Sequence, residues 1–202
     1  MGVARLAIIR RMGIWSAAAI ATVLAPAILI WPIRRLSAPG DRRVLLLGAL
    51  LALPLQPLAF HAIPMPLHHA LEAMLGPGPV LGTLSLFYAP LTEEPAKWLV
   101  LAFPLSRRAL RPDNAMAIAL AVGLGFAIGE FWFIASRIAA APGVAELPFW
   151  MFSGYLFERL QVAFPHGAFI LWFARAFAGG GRCGPARWLA WRCISRSTFR
   201  SC

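Results

Sequence analysis

Leu91-Thr92-Glu93-Glu94-Pro95-Ala96-Lys97-Trp98-Leu99 lies in the middle of an apolar stretch running from Leu81 to Leu105. Hydrocarbon tolerates ionisable groups poorly, at roughly 2.5–3.5 kcal/mol for an Asp, Lys or Arg at mid-bilayer on insertion scales. Two neighbouring glutamates and a lysine at that depth need a reason to be there. Lys97 is the only lysine of the chain, against 18 arginines. Chemistry inside a membrane is the reading that this stretch favours.

The surrounding composition agrees. The 202 residues are 60% hydrophobic, with a mean hydropathy of +0.71. Several runs approach the ~20 apolar residues that cross a hydrocarbon core of ~30 Å. The expected fold is all-α, a polytopic transmembrane helical bundle of about five spans with a broken third span. Residues 1–178 form that bundle, and 179–202 are either a disordered basic tail or out-of-frame translation. The net charge of +11 comes from arginines in the loops and tail, where they meet anionic lipid, and implies no nucleic acid. The cysteines Cys183, Cys193 and Cys202 fit no zinc spacing and, being odd in number, no disulfide framework.

Along the chain, Arg5, Arg10 and Arg11 precede a first span of about Ile14 to Ile33, which has no persuasive cleavage site and reads as uncleaved. A second span of about Val44 to Ile63 follows a charged turn. Pro64 to Pro79 is an outer loop with a short interfacial helix at Leu67 to Leu75, and His61, His68 and His69 belong to that interface. The third stretch runs from Val80 to Leu105, the fourth from Ala115 to Ala139 behind a cap at Asp113 or Asn114, and the fifth from Phe149 to Ala178. Arginines number four, none, three and none in the successive loops and five in the C-terminal segment. That alternation places loops one and three and the C-terminus in the cytoplasm, against the three arginines of the N-terminus.

Three polar islands fall at similar depth. Glu93 is 12 residues from Leu105, Glu130 is 15 from Ala115 and His166 is 11 from Phe177. At 1.5 Å per residue these are roughly 18, 22 and 17 Å from one face. On a helix, Lys97 falls between Glu93 and Glu94, so one lysine can serve both. Pro95 favours a helix start there, with Glu94 near the cap. Gly125 and Gly129 form a small-xxx-small pair beside Glu130, Arg159 shares a face with His166, and Pro165 bends the segment at the histidine. Taken singly, these are a self-neutralising ion pair, a protonated carboxyl bonded to its helix and a core histidine. Jointly, those readings leave the adjacent carboxylates and the matched depths unexplained.

Glu93-Glu94-Pro95-Ala96-Lys97, then Gly123-Leu124-Gly125-Phe126-Ala127-Ile128-Gly129-Glu130, then Arg159 with Pro165-His166 resemble the successive motifs of the PrsW-type membrane proteases. Those belong to the superfamily of CAAX-processing and bacteriocin-processing intramembrane proteases. The resemblance covers about residues 80 to 178. It implies a multi-pass enzyme of the bacterial plasma membrane that cleaves a membrane-anchored protein such as an anti-sigma factor. It also implies Glu93, Glu94, Glu130 and His166 as catalytic residues, with Lys97 and Arg159 supporting them. Under that reading the two glutamates share protonation and the ionised one activates water. His166 or the protonated carboxyl then stabilises the oxyanion and protonates the leaving amine. No cofactor is expected, with zinc as the alternative, since Glu and His are zinc ligands. The alternative function is a non-catalytic membrane module, either an inactive relative or a proton-coupled carrier; a carrier would show repeated halves, which this sequence lacks.

Overall fold

A computed structural model describes residues 13–144 and 147–179. Residues 179–202 read as a tail, and the N-terminal arginines, therefore lie outside the described residues, apart from Gly179. Among the described residues the chain forms only helices and turns. These are α1 (Gly13–Arg35), α2 (Arg42–Ala52), α3 (Leu55–Ala62), α4 (Pro64–Leu75), α5 (Pro79–Ser85), α6 (Tyr88–Ala102), α7 (Pro104–Ala109), α8 (Ala115–Ala139) and α9 (Ser153–Ala178), with 3-10 turns at Pro39–Asp41 and Phe149–Phe152. By length and composition, Gly13–Arg35, Pro39–Leu75 and Ala115–Ala139 could each cross a membrane. The 26-residue α9 carries Glu158, Arg159 and Arg175.

Proline sets many of the boundaries. Helices α4, α5 and α7 each begin on a proline, where the missing N–H is not needed and the fixed φ suits the first turn. Gly76, at φ 69°, ends α4. The third apolar stretch is thus broken, but the breaks fall at Leu86–Phe87 and at Phe103, on either side of Glu93–Lys97. The expected helix start at Pro95 is corrected here, because α6 runs through that residue. The Glu94–Lys97 ion pair at spacing i,i+3 needs helical geometry across the proline. Pro165 likewise lies inside a continuous α9.

Helix α8 is the hub, buried along most of its length and packed against α2, α9 and α1. Its glycines make that closeness feasible. A Cβ on Gly125 would collide with the Ala49 carbonyl, one on Gly129 with the Leu53 carbonyl, and one on Gly123 with the backbone of Gly167. Backbone-to-backbone packing of this kind is how helices associate where lipid removes the hydrophobic drive. The outer surface carries the large apolar groups, including Trp31, Trp150, Phe164, Phe169 and Trp172. In water such a surface would aggregate; in lipid it is solvated.

At one end, a polar clamp ties the first arginine-rich loop to the third. Asp41 accepts from the Ala38 amide at 3.1 Å, from Arg111 Nη2 at 2.9 and 3.2 Å and from Asn114 Nδ2 at 3.1 Å. Asn114 does occupy the cap position of α8, yet its side chain makes no capping bond. It is used instead on the Arg111 amide at 2.8 Å, the Ala109 carbonyl at 3.0 Å and Asp41.

Gly125→Leu should force α8 away from α2. We expect a loss of about 1–3 kcal/mol, the usual cost of overpacking, seen as a lower melting temperature in detergent. Gly82→Ala, where an added Cβ meets nothing within 4 Å, should change the melting point little.

Candidate functional site

The site grows from one buried cation. Lys97, on α6, is fully buried. Its Nζ donates to Glu94 Oε1 at 2.6 Å and to His166 Nδ1 at 2.7 Å, and it lies 4.6 Å from the centre of the Phe126 ring. An ammonium only donates, so His166 must accept at Nδ1 and carry its proton on Nε2. That Nε2 reaches Glu130 Oε2 at 2.8 Å. The other oxygen of Glu130 meets Arg159 Nη1 at 2.8 Å, and Arg159 Nη2 reaches Glu158 Oε1 at 2.6 Å. The result is one run of polar contacts, Glu94–Lys97–His166–Glu130–Arg159–Glu158, built from α6, α8 and α9. Its Glu130–Arg159 link is an ion pair, and Arg159 Nε and Nη1 have no hydrogen-bond partner among the described residues.

Each link follows from local structure. Residues i and i+3 stack on a helix face, which pairs Glu94 with Lys97. Arg159 and His166 are seven residues apart on α9, and both turn inward onto Glu130. Close approach of α8 and α9 at Gly123 and Gly167 brings Glu130 within reach. Phe126, one turn before Glu130, sits edge-on to the His166 ring at 5.2 Å between centroids.

Charge balance accounts for the chain's persistence in an apolar interior. Two cations, Lys97 and Arg159, lie among Glu94, Glu130 and the exposed Glu158. A buried charge with one partner removed would be left uncompensated, which is costly. One acceptor remains open: Glu94 Oε2 is buried and has no hydrogen-bond partner among the described residues.

The structure therefore brings Glu94, Lys97, Glu130, Arg159 and His166 together. Glu93 makes no hydrogen bond or ion pair with that polar chain, though it is close enough to feel the charges of Glu130, Lys97 and His166. Lys97 makes its ion pair with Glu94 alone, which corrects the expectation that it serves both carboxylates. Glu93 faces Gln56 of α3 and lines a cavity of about 360 Å³ with Phe60, His68, Tyr88 and Arg137. His68 closes one side through Tyr88 Oη at 3.4 Å. Gln56 and Glu158 enter the site without having been marked in the sequence. For Gln56 a signal was there: an amide within the apolar run of Val44 to Ile63.

The chain matches the family model described as PrsW family intramembrane metalloprotease over residues 42–179. No curated protein and no solved structure matches it. The family description is compatible with a zinc ion, so the donors must be tested for fit. No three His, Cys, Asp or Glu groups converge to hold a metal among the described residues. His166 uses both ring nitrogens, Glu130 uses both oxygens, and Lys97 and Arg159 would repel a divalent cation beside them. In this arrangement the residues do not fit a metal.

Lys97→Met should leave Glu94 and the His166 acceptor buried without their donor. The expected loss of stability is about 3–5 kcal/mol, as for breaking one half of a buried pair, measured by unfolding in detergent. An unchanged midpoint would show that the lysine bears no structural charge.

Proposed function

The chain belongs to the PrsW family of intramembrane proteases, and from that membership we propose that it hydrolyses a peptide bond of a membrane-anchored protein, such as an anti-sigma factor, at Glu93, Glu94, Glu130 and His166. The observation that carries the reading is the run of polar contacts from Glu94 to Arg159, which leaves one buried carboxylate oxygen, Glu94 Oε2, without a partner among the described residues. In this proposal the enzyme sits in the bacterial plasma membrane with about five crossings, the third carried by α5, α6 and α7 together.

Glu94 is the general base. Its Oε2 takes a proton from water as the water oxygen bonds to the scissile carbonyl carbon. Lys97, fixed by Glu94, His166 and Phe126, supplies positive charge for the oxyanion that develops. His166 and Glu130 keep the ammonium on that heading, and Arg159 keeps Glu130 in place. Glu93, on the cavity side, carries the proton that the neighbouring carboxylates share and gives it to the leaving amine as the C–N bond breaks. The proton on Glu94 then returns to Glu93 through water, and both residues are as they began.

Placing this chemistry within the membrane restricts water to the molecules that the polar chain can hold, and low dielectric strengthens each electrostatic contact. No step passes through a metal, because His166 and Glu130 are already committed to Lys97, Arg159 and each other, and those two cations lie beside them.

Glu94→Gln should lower cleavage of a membrane-anchored reporter by roughly 10²–10⁴-fold. Because it also leaves the buried Lys97 without its carboxylate, it should lower the melting temperature too, and cleavage is compared well below the variant's melting point. Treating the wild-type protein with a zinc chelator should leave cleavage unchanged. Full activity in the variant would remove Glu94 as base, and loss on chelation with recovery on adding zinc would overturn the metal-independent route.

A further inference from the structure

Gln56 is 2% exposed and sits on α3, outside the three helices that build the charged chain. Its side chain faces Glu93. Glutamate oxygens accept, so the Nε2 end of the amide turns to Glu93, and the Oε1 end is buried with no partner among the described residues. An unsatisfied amide oxygen in an apolar interior is costly. Phe60, one turn later on α3 and so on the same side as Gln56, lines the cavity into which Glu93 opens.

A membrane-spanning substrate arrives as a helix with its backbone hydrogen bonds made internally. Cleavage requires that a short length be unwound, and every N–H so freed then needs an acceptor, because lipid offers none. The site has two buried acceptors without partners among the described residues, Gln56 Oε1 and Glu94 Oε2. Neither residue lines the cavity itself, but Gln56 faces Glu93 and Glu94 adjoins it, and Glu93 does line it. Glu94 Oε2 is assigned to water under the reading above.

We propose that Gln56 binds the substrate backbone. It accepts a hydrogen bond at Oε1 from an N–H of the unwound peptide while its Nε2 holds Glu93 toward the leaving amine. This inference rests on the peptidase reading. It deepens that reading by giving the class of ligand that Gln56 takes, an extended peptide segment, and by adding a fourth helix to the site. Gln56 is a substrate-binding and positioning residue; it moves no proton.

The test uses the full chain in detergent with a single-span reporter peptide carrying a photoreactive leucine beside the cleaved bond. Gln56→Met should raise KM roughly tenfold, as for a lost hydrogen bond in a dry site, with kcat falling a few-fold through Glu93. Photo-crosslinking of the reporter to the Glu94→Gln protein should fall by a similar factor when Gln56→Met is added. The melting temperature should hold or rise, because an unpaired buried amide has been removed. A lower melting point with unchanged KM and crosslinking would make Gln56 structural only and overturn the proposal. Should the Met variant fail to fold, Gln56→Asn keeps the amide one methylene short and should also weaken crosslinking; unchanged crosslinking there counts against the proposal. No cleavage of the reporter by the wild-type protein would sink the peptidase reading, while the crosslink yield would still judge Gln56.

Discussion

A single ammonium group in an apolar interior constrains the rest of this structure. Lys97 is fully buried, so its charge must be met by protein. The protein meets it with a carboxylate one turn away, an imidazole from α9 and the face of Phe126. Once the imidazole is held at Nδ1, its other nitrogen needs an acceptor, and Glu130 provides it. Glu130 in turn brings Arg159 inward, and Arg159 reaches Glu158 near the surface. Each member is present because the previous one would otherwise be unsatisfied. A polar chain of this kind is worth little when incomplete and rigid when complete.

Such a chain can form only where helices come close enough for short contacts, and this is the role of the glycines of α8. Gly125 abuts the backbone of α2 at Ala49, Gly129 the Leu53 carbonyl just past its end, and Gly123 the backbone of α9. The helix bearing Glu130 is thus held between two others at backbone distance, with its carboxylate aimed at α9. The broken third stretch serves a related end. Its interruptions at Leu86–Phe87 and Phe103 leave a 15-residue helix that carries both glutamates and the lysine in one rigid piece.

Much of this was legible in the sequence, for physical reasons. Ionisable groups inside apolar runs are costly enough to stand out, and Ala115–Ala139 announces itself by an apolarity interrupted only at Glu130, Ser136 and Arg137. The small-xxx-small pair located the close packing of α8. Other features were not legible. Helical spacing places Lys97 between Glu93 and Glu94 without saying which it takes; the contact from His166, 69 residues away, favours Glu94. Pro95 reads as a helix start in isolation, yet the Glu94–Lys97 pair spans it. Gln56 is one polar residue in a long apolar run, and only the tertiary arrangement puts it opposite Glu93.

The account's central claim is that Glu130 and Arg159 belong to one cooperative buried network. A double-mutant cycle on unfolding in detergent, with Glu130→Gln, Arg159→Met and the double variant, tests it most directly. The account predicts a coupling energy above about 1.5 kcal/mol, within the range for residues sharing a hydrogen-bond network. Effects that add to within about 0.5 kcal/mol, as for independent sites, would contradict it.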